Sequence, residues 1–425
     1  MESKSKAAVD LQKEIFLGGL RGQRPVIPSE VSALRKLAER KLSAPSFDYL
    51  DGSAGRHHTN LNNQQAFHHW QILPTMLNDV SVRNIGTNLF GAKFSSPFFL
   101  CPIGVLELAH PQADLAVARA CESTGVPLMI SSQASTPIEN IAGQMPTTPT
   151  FFQLYWSKSE ELVASFLSRA ERSGCLAIVV TLDTTLLGWR TKDLDHAYLP
   201  FLYGRGLAQY ISDPVFQRLV RQEPPRAEPP PKTTLTLIRS LWRMASNFPG
   251  STLQNFRTRS TLAAIRKFIE IYMNPALEWH DLNRLREMTN LPLILKGIQH
   301  PDDARKAIDA GVDGVVISNH GGRQIDGAVS SLNALTLCKE VVGDQIPMLF
   351  DSGVRSGSDA YKALALGAQM VGIGRPYAYA LAVAGELGVR ALMENFQAEL
   401  ELTMALSGCK NLTEIDKSKL HYRSH

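Results

Sequence analysis

Apolar residues along this chain of 425 residues fall into short runs, and each run is followed by a stretch with helical spacing. The first run is 97–102, Pro-Phe-Phe-Leu-Cys-Pro, and alanines at helical intervals follow it over 110–124. Runs at 128–132, 151–155 and 177–183 continue the rhythm, and behind the run at 151–155 comes a helical stripe of Leu162, Val163, Phe166, Leu167 and Ala170. After a long gap come 293–297, 314–322, 348–353 and 370–375, with a helical stretch at 301–310. Short β-branched runs bounded by turn residues read as strands buried on both faces. Eight of them, each leading into helix-like sequence, predict an α/β fold of the (β/α)8 TIM-barrel type. An open doubly wound sheet would show Gly-x-Gly-x-x-Gly after its first strand, and none follows Leu100.

The rest of the chain is arranged around that repeat. Residues 1–95 read as an N-terminal helical segment with Val31, Leu34, Leu37 and Ala38 on one face, 96–400 as the barrel, and 401–425 as a tail. All of it reads as a single domain. The gap at 184–290 is a long insertion after strand 4, and so long a connection is usually functional or disordered. Its aromatic part, 198–220, predicts a lid that closes over the site. Its stretch 223–232, with five prolines, predicts a disordered outer loop.

Composition narrows the class. Apolar content of 44% and charged content of 20% suit a soluble enzyme. A net charge of +4 without a basic run argues against a nucleic-acid partner. The five cysteines are scattered with no Cys-x-x-Cys pair, which predicts a reducing compartment, no disulfide framework and no metal site. No apolar run approaches the ~18 residues of a membrane span, and the N-terminus lacks a signal-peptide core, so the expectation is cytoplasmic with no membrane partner. Ser418-Lys419-Leu420 spells a peroxisomal address but lies inside the sequence, where it is not read.

The chemistry gathers at the strand ends, where barrels of this kind carry their sites. Residues 315–323 read Val-Val-Ile-Ser-Asn-His-Gly-Gly-Arg, an apolar strand ending in a base and a cation. Gly321 and Gly322 let the backbone turn tightly, so His320 and Arg323 can share one space. A neutral imidazole beside a fixed guanidinium suits proton removal from a substrate that carries a carboxylate. The other ends contribute Gly104, Ser131, Tyr155, Thr181, Lys296, Asp351 and Arg375. Asp351-Ser352-Gly353-Val354-Arg355 and Gly372-Ile373-Gly374-Arg375-Pro376 form a candidate phosphate cradle of glycine-freed N–H groups and arginines. With Lys296 across the mouth, a cofactor lying over the barrel is expected. Tyr49, in the segment 46–53, reads from its own neighbourhood as core.

Asn319-His320-Gly321-Gly322-Arg323, together with Lys296-Gly297, Asp351-Ser352-Gly353-Val354-Arg355 and Gly374-Arg375-Pro376, resembles the FMN-dependent α-hydroxy-acid oxidase and dehydrogenase family over about residues 30–400. Leu187-Gly188-Trp189-Arg190 and the segment from Asp193 to Phe216 are most similar to its lactate 2-monooxygenase branch. The resemblance implies FMN as cofactor, oxidation of a small, lactate-like L-2-hydroxy acid, and oxygen as acceptor with coupled decarboxylation. A simple oxidase or dehydrogenase on a larger substrate is the alternative. A flavin isomerase of this fold would lack the set His320, Arg323 and Arg190, and a non-catalytic binding subunit would lack the base, whereas His320 is present. The resemblance also implies a homo-oligomer, a tetramer or octamer.

Residue by residue, it implies His320 as base, Asp351 as the partner of His320, and Arg323 and Arg190 on the substrate carboxylate with help from Tyr49. Tyr155 contacts the reacting oxygen, and Lys296 stands at the N1/O2 edge of the flavin. Ser131, Gln153 and Thr181 bond the pyrimidine edge, and Gly104 lies near N5. Gly353, Arg355, Gly374 and Arg375 take the phosphate. Gln133 stands where many oxidases carry tryptophan, Ser352 replaces a common glycine, and Gly104 replaces a common alanine, a change that leaves room beside N5.

Overall fold

The computed structural model describes residues 8–222, 234–258 and 260–423. The eight apolar runs form strands β1 (Phe98–Leu100), β2 (Leu128–Ile130), β3 (Thr150–Leu154), β4 (Ala177–Thr181), β5 (Leu293–Ile298), β6 (Gly314–Ile317), β7 (Met348–Phe350) and β8 (Met370–Ile373). They close into one parallel barrel in chain order, with β8 pairing back onto β1. The (β/α)8 expectation therefore holds.

Strand alternation sets what lies inside. Phe99, Met129, Phe151, Ala177, Val179, Ile294, Val316, Leu349 and Met370 pack together as the barrel interior. The hairpin of Thr87–Leu89 and Ala92–Phe94 closes the lower end, with Phe94 stacked on Phe151 at 6.5 Å. Two residues further along each strand the period of two returns to the same side. There the sequence places Cys101, Ser131, Gln153, Thr181, Lys296, Ser318, Asp351 and Gly372. A polar layer thus sits directly on an apolar plug. Ile178, Val180, Leu295 and Ile317 point the other way and join the helices in the outer core.

An N-terminal layer covers one side of the mouth. Its helix Val31–Lys41 opens with the Glu30 side chain accepting from Ser32 N at 3.2 Å and ends on Arg40 and Lys41, signs that suit the helix dipole. Val31, Leu34 and Ala38 are buried against the kinked helix Arg375–Leu406, whereas Leu37 is exposed, so the predicted face is narrower by one residue. Trp70–Ile72 pairs antiparallel with Leu420–Tyr422. Leu420 is buried there, which locks the tripeptide at 418–420 into secondary structure.

The insertion differs from expectation. Its aromatic part forms short helices at Pro200–Tyr203, Ala208–Ile211 and Pro214–Arg221. Phe201, Tyr210 and Phe216 are buried, with Tyr210 edge-on to Phe166 at 5.1 Å and to Phe268 at 4.8 Å. These rings extend the outer core, and no residue of 198–220 lines the cleft at the barrel mouth. A lid and a core segment share the same aromatic composition; the partners Phe166 and Phe268 decide between them. The proline-rich stretch 223–232 lies outside the described residues.

Candidate active site

A cleft of about 890 Å3, open mouth included, lies over the polar layer. Its walls include Tyr49, Gly104, Ser131, Gln133, Tyr155, Arg190, Lys296, His320, Arg323, Asp351, Gly353, Arg355, Gly374 and Arg375. Gln153 and Thr181 lie just beneath. Every residue expected from the sequence is thus brought to one place.

The first cluster is a buried chain of polar side chains along β2, β3 and β4. Gln153 Oε1 accepts from Ser131 Oγ at 3.2 Å and from Ser132 N at 3.1 Å, and Gln153 Nε2 donates to Thr181 Oγ1 at 3.0 Å. The second surrounds Lys296, which is almost fully buried. Its ammonium donates to Ser318 Oγ at 2.9 Å and lies 3.2 Å from Asp351 Oδ2. Burial works against this charge, but Asp351 and Asp183 outweigh it and hold the ammonium above its usual pKa. An ammonium has three N–H donors; the third has no partner among the described residues.

The third cluster holds the histidine, and here one expectation is corrected. His320 Nδ1 lies 2.8 Å from Asp183 Oδ1, not against Asp351. Asp351 belongs to Lys296 and to Ser318, whose Oγ donates to its Oδ1 at 2.6 Å. The cause is depth along the barrel. Asp351 is the first residue past β7, level with Ser318, the first past β6. Asp183 is two residues past β4 and His320 three past β6, so both stand one level higher. Burial holds the His320 imidazole below its usual pKa, and Lys296 adds to the depression against the upward pull of Asp183. Burial opposes ionisation of Asp183, yet the charges of His320 and Lys296 draw it down to about 2. With Nδ1–H given to Asp183, the neutral ring carries its lone pair on Nε2.

His320 itself has φ 57°, followed by Gly321 at 65° and Gly322 at 74°. This left-handed run is pinned from outside. Asn319 Oδ1 accepts from Gly322 N at 3.1 Å, and its amide pairs reciprocally with that of Asn63 at 2.8 and 2.7 Å. A Cβ on Gly322 would meet Asn60 N at 2.6 Å.

The fourth cluster is cationic. Arg190 is buried and donates to Gln324 Oε1 at 3.1 Å. Arg323 donates to Gly52 O at 2.7 Å, and its guanidinium carbon lies 5.4 Å from the Tyr49 ring centre. Neither makes an ion pair among the described residues. Burial, with Arg190 and Arg375 close by, brings Arg323 down to about 9, and burial lifts the Tyr155 hydroxyl to about 12.

The last cluster is at β7 and β8. Gly353 has φ 92°, and a Cβ there would meet Asn63 O at 2.4 Å. Ser352 has φ 90°. Its Oγ accepts from Gly321 N at 2.9 Å and donates to Asp351 Oδ1 at 2.8 Å, which ties this loop to the histidine loop. Arg375 differs from a simple phosphate ligand. Its N–H groups reach Asp51 O (2.9 Å), Gly52 O (2.7 Å) and Gly321 O (2.9 Å), so its side chain clamps the N-terminal segment over the mouth. Gly104 is also not beside empty space: a Cβ there would meet Gln133 Cβ at 2.8 Å and Gln133 O at 3.0 Å.

Asp183, Ser318, Asn63 and Ser352 Oγ complete the constellation and were not singled out for these contacts by sequence. Asp183 closes the β-branched run 177–183 and carried the only available signal.

These donors fit FMN. Ser131, Gln153 and Thr181 match a ring edge of alternating donors and acceptors, and the spare Lys296 N–H suits an electron-rich ring. Main-chain N–H groups at Gly353 and Gly374 suit a single phosphate.

Comparison with known proteins agrees. The model of the FMN-dependent dehydrogenase family matches residues 38–422. The chain is 37% identical over 399 residues to the L-lactate oxidase of Lysinibacillus sphaericus, covering 94% of each. It is 34% identical over 386 residues to 2-hydroxyacid oxidase 1 of Homo sapiens, covering 90% of this chain and 93% of the relative. The crystal structure of mandelate oxidase with (S)-4-hydroxymandelic acid superposes with a TM-score of 0.74 at 32% identity, covering 93% of this chain and 98% of its own. The chain therefore belongs to the family of FMN-dependent α-hydroxy-acid oxidases and dehydrogenases and is an FMN-dependent oxidoreductase acting on 2-hydroxy acids.

Proposed function

We propose that the protein oxidises a small, lactate-like L-2-hydroxy acid to its 2-keto acid with oxygen as acceptor, and that peroxide then decarboxylates the keto acid within the cleft. The observation that carries the oxidation is the pair Arg190 and Arg323, cations without a carboxylate partner among the described residues, beside a neutral His320 oriented by Asp183. Two guanidinium forks hold the substrate carboxylate, with the Tyr49 hydroxyl beside them. His320 Nε2 takes the proton of the 2-hydroxyl, and Asp183 stabilises the imidazolium that results. Tyr155 steadies the reacting oxygen. Lys296, held by Asp351 and Ser318, would supply positive charge to the ring of the cofactor. Gly353, Arg355 and Gly374 take its phosphate, with Arg375 closing the N-terminal segment over them. FMN, when bound, would accept the C2 hydrogen together with the two electrons of the oxidation and pass them to oxygen, which with the proton held by His320 gives hydrogen peroxide.

The coupled route converts keto acid and hydrogen peroxide into the shortened acid, carbon dioxide and water. It rests on the resemblance of 187–216 to the monooxygenase branch. A second reading, release of keto acid and peroxide, is favoured by two observations: Gln133 fills the space beside Gly104, and no residue of 198–220 lines the cleft. Anaerobic bleaching of the flavin by a panel of 2-hydroxy acids and their methyl esters tests the oxidation. Acids that bleach it and esters that do not are the expected result; bleaching by neither removes the proposal. Product analysis in air with the best acid separates the routes, since stoichiometric keto acid and peroxide leave only the second. We further propose a cytoplasmic homo-oligomer, a tetramer or octamer, formed by one FMN domain over the whole chain. Light scattering on the purified holoenzyme tests its size.

A further inference from the structure

The charge of this chain is unevenly distributed. Residues 229–269 contain seven Lys and Arg and no Asp or Glu, while the whole chain carries +4, so everything outside that stretch sums to −3. Apart from Arg266-Lys267 the cations are spaced, which hides them from a search for basic runs. Within this stretch lies the helix Leu235–Asn247, followed by Thr252–Thr258.

The helix is divided lengthwise. Leu237, Leu241, Met244 and Ala245 share one side, and Ala245 is buried. That side packs on Pro200–Tyr203, where Asn247 Nδ2 donates to Tyr203 O at 2.7 Å. The apolar face is wider than the surface that covers it. Ile238 and Trp242 continue it into solvent at 43% and 48% exposure, and Leu253, on the helix packed beside it, is 48% exposed. Trp242 rests on Phe256 with ring centres 5.6 Å apart. Arg239, Arg243 and Arg257 border this strip, all exposed and without an ion pair among the described residues.

We propose that this face docks on the surface of a bilayer containing anionic phospholipids. An apolar edge with an indole, flanked by unpaired arginines on an amphipathic helix, is what lies in the headgroup plane and draws anionic lipid. No helix among the described residues is long and apolar enough to cross a membrane; this one needs only to lie flat. Two other occupants fit less well. A nucleic acid would use the arginines and leave Ile238, Trp242 and Leu253 in water. A second copy in an isologous contact would set Arg against Arg. The helix that carries this face packs on Pro200–Tyr203, whose Phe201 stands edge-on to the cleft residue Tyr49 at 6.5 Å.

The test is co-sedimentation of the FMN-loaded enzyme with phosphatidylcholine vesicles, with and without phosphatidylglycerol, at low and high salt. The expected result is binding to the anionic vesicles alone, release by salt, and at least tenfold weaker binding for Arg239→Glu/Arg243→Glu and for Trp242→Ser. Both variants should keep the wild-type flavin spectrum and turnover in solution, since none of these residues touches the cleft. No sedimentation of the wild type, equal binding by the variants, or a shift of duplex DNA without vesicle binding would each overturn the proposal.

Discussion

At the scale of the residue, the division of labour between two carboxylates decides how the site responds to pH. His320 works only when neutral, and its pKa lies below the usual value, so kcat/KM should rise through that pKa and be flat at neutral pH. Asp183 is the charge that holds this pKa up. Asp183→Asn should therefore move the acid limb to lower pH while reducing the rate, and Asp351→Asn should move it less. An equal effect of the two substitutions would contradict the pairing described here. His320→Ala should slow flavin reduction by about 10²–10⁴-fold with FMN still bound. Ser352 offers a cleaner contrast. Its φ of 90° costs a non-glycine residue about 1–3 kcal/mol, and its two hydrogen bonds return about 1 kcal/mol each. Ser352→Gly relieves the strain as it loses the bonds and should be near neutral, whereas Ser352→Ala keeps the strain and should cost about 2 kcal/mol in urea melts. Sequence could not assign Asp183 over Asp351, because both follow strands; strand ends had to be known to within one residue to say which carboxylate stands level with the base.

At the scale of the element, the eight strands were legible because burial on both faces demands uninterrupted apolar side chains, which turns and solvent-facing helices do not show. The polar layer was legible for the same reason: Ser131, Thr181, Lys296 and Asp351 each break an apolar run near its end, and Gln153 interrupts one from within. The insertion was not. Its aromatic residues could cover a cleft or fill a core, and only contacts with Phe166 and Phe268, distant in sequence, settle the matter. Phe216→Ala should therefore cost about 3–5 kcal/mol of stability, measured by denaturant unfolding. A lid residue would instead alter KM and leave the melt unchanged.

At the scale of the whole molecule, β8 on β1 closes the barrel, and a separate two-stranded sheet ties Trp70–Ile72 to Leu420–Tyr422. Trp70 meets Tyr422 with ring centres 4.9 Å apart, and Leu420 is buried. Deleting 420–423 should destabilise the N-terminal layer by about 1.5–3 kcal/mol through Leu420 alone, read as a lower urea midpoint. The pairing also has a bearing on synthesis. Residues 70–72 are made first and their partners some 350 residues later, a wait of roughly 20–70 s at ordinary ribosome speeds. Throughout that interval the edge of Trp70–Ile72 has no strand to receive it, and a nascent chain in this condition is a natural client for a holding chaperone. The strand made earliest is thus among the last to find its place.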